Sequence, residues 1–252
     1  MLLDLDGTLY KEDTPLPGAM ALVRRLVAEG RKIAFISNST QSPQRVAARV
    51  KAMGVDLSPD LFHTASEAAA DYVLERFGSA ARVFNCATEG MAELLEGRVT
   101  WVHEEHEKCD IVLAGNPQGK FATVPRMRIA LRLIWNGAIC AGLCADRVYP
   151  SPAGIEIGSG AMTWMFAYAA NVEPIFFGKP QRSFFENLCR RLEVDSERCV
   201  LVGDNLHADI GGGKAMGMRT ILTLTGVARR GDLVGIEGEF RPDWVVEDLR
   251  EL

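Results

Sequence analysis

The chain has 252 residues, of which 48% are hydrophobic and 24% charged, and its formal net charge is -5. These values are typical of a globular protein with one large domain or two smaller ones. The acidic balance argues against nucleic acid as a main partner, and no apolar run approaches the roughly 18 to 20 residues needed to cross a bilayer. We therefore expect no membrane association and a cytoplasmic location.

The first third of the chain alternates between strand and helix patterns. An apolar run from Leu2 predicts a strand that ends at two acids, Asp4 and Asp6, before Gly7. Apolar residues at helical spacing then predict helices over 19–29 and 43–53, on either side of a strand over 31–38. This β-α-β-α order predicts a parallel sheet with crossover helices.

After a predicted helix over 66–77, the pattern restarts as a smaller α/β unit. Its predicted elements are strands over 82–85, 99–102, 109–114 and 138–144, and helices over 89–95 and 125–136. We predict a core domain of residues 1–79 and 174–252 and an inserted domain of residues 80–173. The segment 150–160 is predicted to be a loop, because Pro, Gly and Ser are frequent in it.

The last third returns to the first pattern. A helix is predicted over 161–171, a strand over 174–177, a helix over 183–192, strands over 199–202 and 220–224, and a tail without a clear signal. The six cysteines are scattered without a CxxC pair, so reduced thiols are expected.

Polar side chains follow several of these strands. Asp4 and Asp6, Ser37 and Asn38, Lys179, and Asp204 all stand at predicted strand ends. A parallel sheet brings such ends to one edge, where ligands bind. Three clustered carboxylates would repel one another without a hard cation, which indicates Mg²⁺.

The same residue types support phosphoryl transfer. A lysine, a hydroxyl and turn N–H groups can bind phosphate oxygens. A carboxylate beside a metal can attack phosphorus and form an aspartyl-phosphate that water then hydrolyses, and a second aspartate can donate and accept the proton.

Four segments resemble the motifs of the haloacid dehalogenase superfamily. They are DLDGT at 4–8, Ser37, Lys179, and the GDxxxxD pattern with Asp204 and Asp209. SNST, GKP, GDNLHADI, Thr225-Gly226-Val227 and the long insert before Lys179 resemble the NagD-like branch. The resemblance implies a Rossmann-like α/β core with an inserted smaller α/β cap, and a Mg²⁺-dependent phosphatase of small phosphorylated metabolites.

Site roles follow from the resemblance. It implies Asp4 as nucleophile and Asp6 as general acid/base, with Mg²⁺ held by the Asp4 carboxylate, the Asp6 carbonyl and Asp204. The implied phosphate-binding residues are Ser37, Asn38 and Lys179, and the implied outer supports of the metal are Asp209 and Asn205.

Several assignments have alternatives at this stage. Asp209 could instead cap the following helix. Asp146 is a candidate substrate contact, although Cys144-Ala145-Asp146 replaces the Asn-Pro-Asp usual in the branch, and contacts from Arg147 and His207 stay open. The alternative functions are a phosphomutase or dehalogenase on the same scaffold, or a non-catalytic ligand-binding protein. An apolar cap surface could support a homodimer.

Overall fold

The computed structural model describes residues 1–151 and 154–252. Its strands, in chain order, are β1 Leu2–Asp4, β2 Tyr10–Lys11, β3 Thr14–Pro15, β4 Ala34–Ser37, β5 Phe62–Thr64, β6 Arg82–Cys86, β7 Thr100–Trp101, β8 Ile111–Ala114, β9 Ile139–Gly142, β10 Val148–Ser151, β11 Gly154–Ile157, β12 Ile175–Phe176, β13 Val200–Gly203, β14 Arg219–Thr223 and β15 Trp244–Val246. Its α-helices are α1 Ala19–Ala28, α2 Pro43–Ala52, α3 Ala65–Phe77, α4 Glu89–Leu95, α5 Val124–Trp135, α6 Ser159–Ala170, α7 Arg182–Leu192 and α8 Gly212–Ala215, and a π-helical turn, Leu206–Gly211, precedes α8.

The first compact unit comprises residues 1–37, 43–63 and 179–252. Its six-stranded sheet has the order β15-β14-β13-β1-β4-β5. The central strand β1 pairs in parallel with both neighbours, and Leu3 lies opposite Phe35 on β4 and Val202 on β13. The carboxyl ends of β1, β4 and β13 therefore meet at one edge of this sheet.

Apolar side chains hold the first unit together. α1 buries Leu22, Val23 and Leu26 at helical spacing, and these side chains join the core cluster that contains Leu3 and Phe35. Strand β1 is buried along its whole length, as expected for a strand covered on both faces.

The second compact unit comprises residues 38–42 and 64–178. Its five-stranded sheet has the order β12-β9-β8-β6-β7, with parallel pairs throughout, and β10 and β11 form a separate antiparallel pair. Helices α5 and α6 pack on this sheet through Leu133, Ile134, Met162 and Phe166. The α/β class with a parallel-sheet core is confirmed.

Some predicted elements differ from the structure. The prediction that 150–160 is a loop is wrong: it contains β11 and the end of β10, while residues 152 and 153 lie outside the described residues. The tail contains strand β15, which pairs with β14. The unit divisions place 38–42, 64–79 and 174–178 with the second unit, whereas the predicted domain bounds place them in the core.

Across residues 1–151 and 154–252, no helix combines the length and the hydropathy that a bilayer-spanning segment requires. All six cysteines are free thiols.

Candidate active site

Three aspartates converge at the carboxyl ends of β1 and β13. Asp4 is the last residue of β1, Asp204 follows β13, and Asp209 lies in the π-helical turn. Each offers a carboxylate oxygen within 4.8 Å of the others, and all three residues are buried. Because like charges repel strongly in a buried site, this arrangement requires positive charge nearby.

Lys179 supplies part of that charge. Its Nζ donates to Asp4 Oδ1 at 2.5 Å and to Asp209 Oδ1 at 2.7 Å, and its side chain is only 4% exposed. Burial disfavours the ammonium ion, but the carboxylates of Asp209 and Asp4 outweigh this effect and raise the Lys179 pKa. Lys179 is therefore cationic at neutral pH.

The positive charge of Lys179 does not balance the negative charge of the three carboxylates. Burial raises the pKa of Asp204, and the charges of Asp4 and Asp209 add to that effect. Burial also raises the pKa of Asp209, although Lys179 opposes it. One ammonium ion thus does not compensate for three clustered acids.

The donor set fits a hard divalent cation. Asp4 Oδ2 is buried and has no hydrogen-bond partner among residues 1–151 and 154–252, which is costly for a carboxylate oxygen. Asp4, Asp204 and Asp209 offer oxygen atoms alone, the ligand type that Mg²⁺ prefers. In the described part of the chain, these three residues form a group whose oxygen atoms could hold an ion.

Asp6 lies in a different environment from Asp4. Its side chain is 58% exposed and its Oδ1 lies 4.0 Å from Nη1 of Arg49. Partial desolvation raises the pKa of Asp6, and the charges of Arg49 and Lys179 oppose the shift. The Asp6 side chain is not part of the carboxylate cluster, and its role in proton transfer stays a prediction.

Asn205 fixes the start of the π-helical turn. Its Oδ1 accepts hydrogen bonds from the backbone N–H groups of His207 and Ala208, each at 2.9 Å. Its own backbone N–H donates to Asp209 Oδ2 at 3.1 Å. The capping residue is therefore Asn205, and Asp209 faces Lys179.

The other predicted residues lie in two units. Ser37 is the buried last residue of β4 in the first unit. In the second unit, Asn38 Nδ2 donates to Asp146 Oδ2 at 3.1 Å. Arg147 is exposed, and His207 is exposed in the first unit with its ring 5.5 Å from that of Phe240.

Sequence reasoning missed two features of the first unit. Arg49 contacts Asp13 at 2.9 Å and Asp6, and its guanidinium lies 4.9 Å from the centre of the Tyr10 ring. The loop after β14 contacts Asp204 through the backbone N–H of Val227. Neither set of contacts can be predicted from residue spacing, because both join segments that lie far apart in the chain.

Family models match both ends of the chain. The model described as haloacid dehalogenase-like hydrolase matches residues 1–98, and the one described as HAD-hydrolase-like matches residues 176–252. Both matched ranges contain residues of the carboxylate cluster and its surroundings. The match therefore includes the site as well as the fold.

Relatives with similar sequences are phosphatases by name. A 5'-nucleotidase, YutF, of Bacillus subtilis is 28% identical over 99% of this chain and 95% of its own length. An acid sugar phosphatase of Staphylococcus aureus is 29% identical over 99% of this chain and 95% of its own length.

Solved structures agree over nearly the whole chain. A p-nitrophenyl phosphatase from Archaeoglobus fulgidus has a TM-score of 0.88 at 27% identity, over 99% of this chain and 95% of that one. NagD from E. coli also has a TM-score of 0.88, at 25% identity, over 100% of this chain and 96% of that one.

Proposed function

Because this chain belongs to the NagD-like branch of the haloacid dehalogenase superfamily and is a phosphoric monoester hydrolase, we propose that it is a Mg²⁺-dependent phosphatase acting through an aspartyl-phosphate. The observation that carries the proposal is the buried Oδ2 of Asp4, which lies in a cluster with Asp204 and Asp209 and has no hydrogen-bond partner among the residues that the structure describes.

The first half-reaction transfers the phosphoryl group to Asp4. A carboxylate oxygen of Asp4 attacks phosphorus while the bond to the leaving oxygen breaks. Asp6 gives its proton to that leaving oxygen, and the raised pKa of Asp6 favours the protonated form that this step needs.

The second half-reaction releases phosphate. The Asp6 carboxylate takes a proton from water, and the oxygen of that water attacks phosphorus and frees Asp4. Lys179 holds Asp4 Oδ1 throughout and supplies positive charge where the phosphoryl oxygens gather.

A bound Mg²⁺ would supply charge neutralisation for the three carboxylates and the phosphoryl oxygens. Asp4 and Asp204 would hold it directly, together with the Asp6 carbonyl, and Asp209 would support Lys179 and the cluster. Ser37 and Asn38 are the proposed phosphate-binding residues, and Asp146 and Asn205 keep their predicted roles in substrate contact and outer support. We propose a cytoplasmic location.

The substrate is a small phosphomonoester. The names of the relatives favour nucleoside monophosphates, sugar phosphates and the model compound 4-nitrophenyl phosphate.

A homodimer through the second unit stays a prediction. Its basis is that α6 exposes Trp164, Met165 and Tyr168 in that unit. Light scattering of the purified protein measures the molecular mass that tests it. A monomer would contradict it.

The test is phosphate release from a panel of these compounds with Mg²⁺ or EDTA. Wild type should release phosphate only with Mg²⁺, and Asp4→Asn should lose roughly a thousandfold or more of the rate. Acid-quenched enzyme should carry a phosphoryl group on Asp4. Turnover in EDTA, or a full rate in Asp4→Asn, would refute the mechanism; a haloacid substrate or a phosphorylated product would indicate a dehalogenase or mutase.

A further inference from the structure

A short loop after β14 holds Asp204 at both its side chain and its backbone. We call residues 224–228 the β14 loop. The backbone N–H of Val227 donates to Asp204 Oδ2 at 2.5 Å, and that of Ala228 donates to the Asp204 carbonyl at 3.0 Å. The orientation of this carboxylate is therefore fixed by the loop and not by the side-chain rotamer alone.

Gly226 lets the loop approach this closely. A Cβ at position 226 would lie 1.8 Å from Asp204 Oδ2 and 2.7 Å from Asp204 Cβ. Rotation of the Asp204 carboxylate cannot relieve the second contact, because Cβ does not move when the side chain rotates. A larger residue at position 226 must displace either the loop or Asp204.

The β14 loop also holds the turn after β1. Thr225 Oγ1 donates to the Gly7 carbonyl at 2.6 Å and lies 2.9 Å from Thr223 Oγ1. Gly7 itself adopts φ of 86°, and a Cβ there would lie 2.4 Å from Asp204 Oδ2. The loop thus ties together the chain segments that carry Asp4 and Asp204.

The hydrogen bonds of the β14 loop counteract the repulsion within the carboxylate cluster. Three acids within 4.8 Å tend to separate, and the ion pairs of Lys179 with Asp4 and Asp209 counteract this for those two residues. Hydrogen bonds from backbone N–H groups resist that separation and lower the cost of assembling the site.

We propose that the β14 loop is a positioning element that presets Asp204 for the divalent cation, with Gly226 and Thr225 as its essential residues. The inference rests on the proposed function, since it assumes that the carboxylate cluster binds Mg²⁺. Neither residue touches the substrate or the ion; both act through Asp204 and Gly7.

The test is Mg²⁺ binding by isothermal titration calorimetry on the full chain, with the Mg²⁺-dependent rise in melting temperature as a second readout. Gly226→Ala should weaken binding by about 10- to 100-fold, as outer supports of metal ligands do. Gly231→Ala is the matched control, because a Cβ there meets nothing within 4 Å, and its affinity should equal that of wild type.

A second pair of variants covers the case in which Gly226→Ala does not fold. Thr225→Val removes the hydroxyl and should weaken Mg²⁺ binding, whereas Thr225→Ser keeps the hydroxyl and should retain it. Unchanged affinity in folded Gly226→Ala, or in Thr225→Val if Gly226→Ala does not fold, would overturn the inference while leaving the proposed function standing. Failure of wild type to bind Mg²⁺ would overturn both.

Discussion

Replacement of Lys179 by Met tests how strongly the acid cluster depends on a buried cation. Lys179 is 4% exposed, and its partners Asp4 and Asp209 are 6% and 1% exposed at the side chain. Removing one partner of a buried ion pair costs about 3 to 5 kcal/mol, because the remaining charge is left without compensation. For a chain of this size the melting temperature should fall by roughly 6 to 20 °C.

The measurement is urea unfolding followed by circular dichroism, at neutral pH and in EDTA. Lys214→Met is the matched control, since Lys214 pairs with Asp243 at 2.6 Å but both side chains are partly exposed, at 25% and 32%. Such a partly exposed ion pair contributes about 0 to 1 kcal/mol to the free energy of unfolding. Lys179→Met should therefore lower the free energy of unfolding several times more than the control.

The penalty should also depend on pH. Lys179 opposes the burial that raises the Asp209 pKa, so its loss raises that pKa further. A carboxyl with a raised pKa in the folded state favours folding at low pH, and this contribution is lost as pH rises through the folded-state pKa. Lys179→Met should thus be closer to wild type at about pH 5 than at neutral pH. Equal costs in the two lysine variants at neutral pH, or a cost of Lys179→Met that does not change with pH, would refute this account of the cluster.

Three further predictions concern the metal and the acid/base residue. Mg²⁺ affinity should increase from about pH 5 to 8, because protons compete for Asp204 and Asp209, whose pKa values burial raises; calorimetry checks this, and a flat profile would contradict it. Asp6→Asn should lose phosphatase activity but bind Mg²⁺ as wild type does, whereas Asp204→Asn should lose both. Arg49→Met should lower kcat by up to about fivefold with KM unchanged, since the Arg49 guanidinium lies near Asp6. Arg49→Lys should restore part of the lost kcat. An unchanged kcat in Arg49→Met would exclude an effect of Arg49 on the acid/base residue Asp6.

Local sequence determined the elements with clear periodicity. Helices such as α1 and α7 bury residues at helical spacing, and the strands β1 and β13 begin with continuous apolar residues. Short strands were not predictable in this way. β15 has three residues and exists through its pairing with β14. β10 and β11 pair within a segment rich in turn residues, and most residues of β11 are exposed.

For the site, the strand-end pattern predicted Asp4, Asp204 and Lys179, because a parallel sheet gathers residues that follow its strands at one edge. The same pattern placed the Asp6 carboxylate in the cluster, where the structure has Asp209, a residue that only the family resemblance implied. Only the tertiary structure decided which of these side chains contact one another. It pairs Lys179 with both Asp4 and Asp209, leaves Asp4 Oδ2 without a hydrogen-bond partner in the described part of the chain, and brings the β14 loop onto Asp204. These contacts join segments far apart in the chain, so no local pattern encodes them, and they depend on packing that is complete only in the folded molecule.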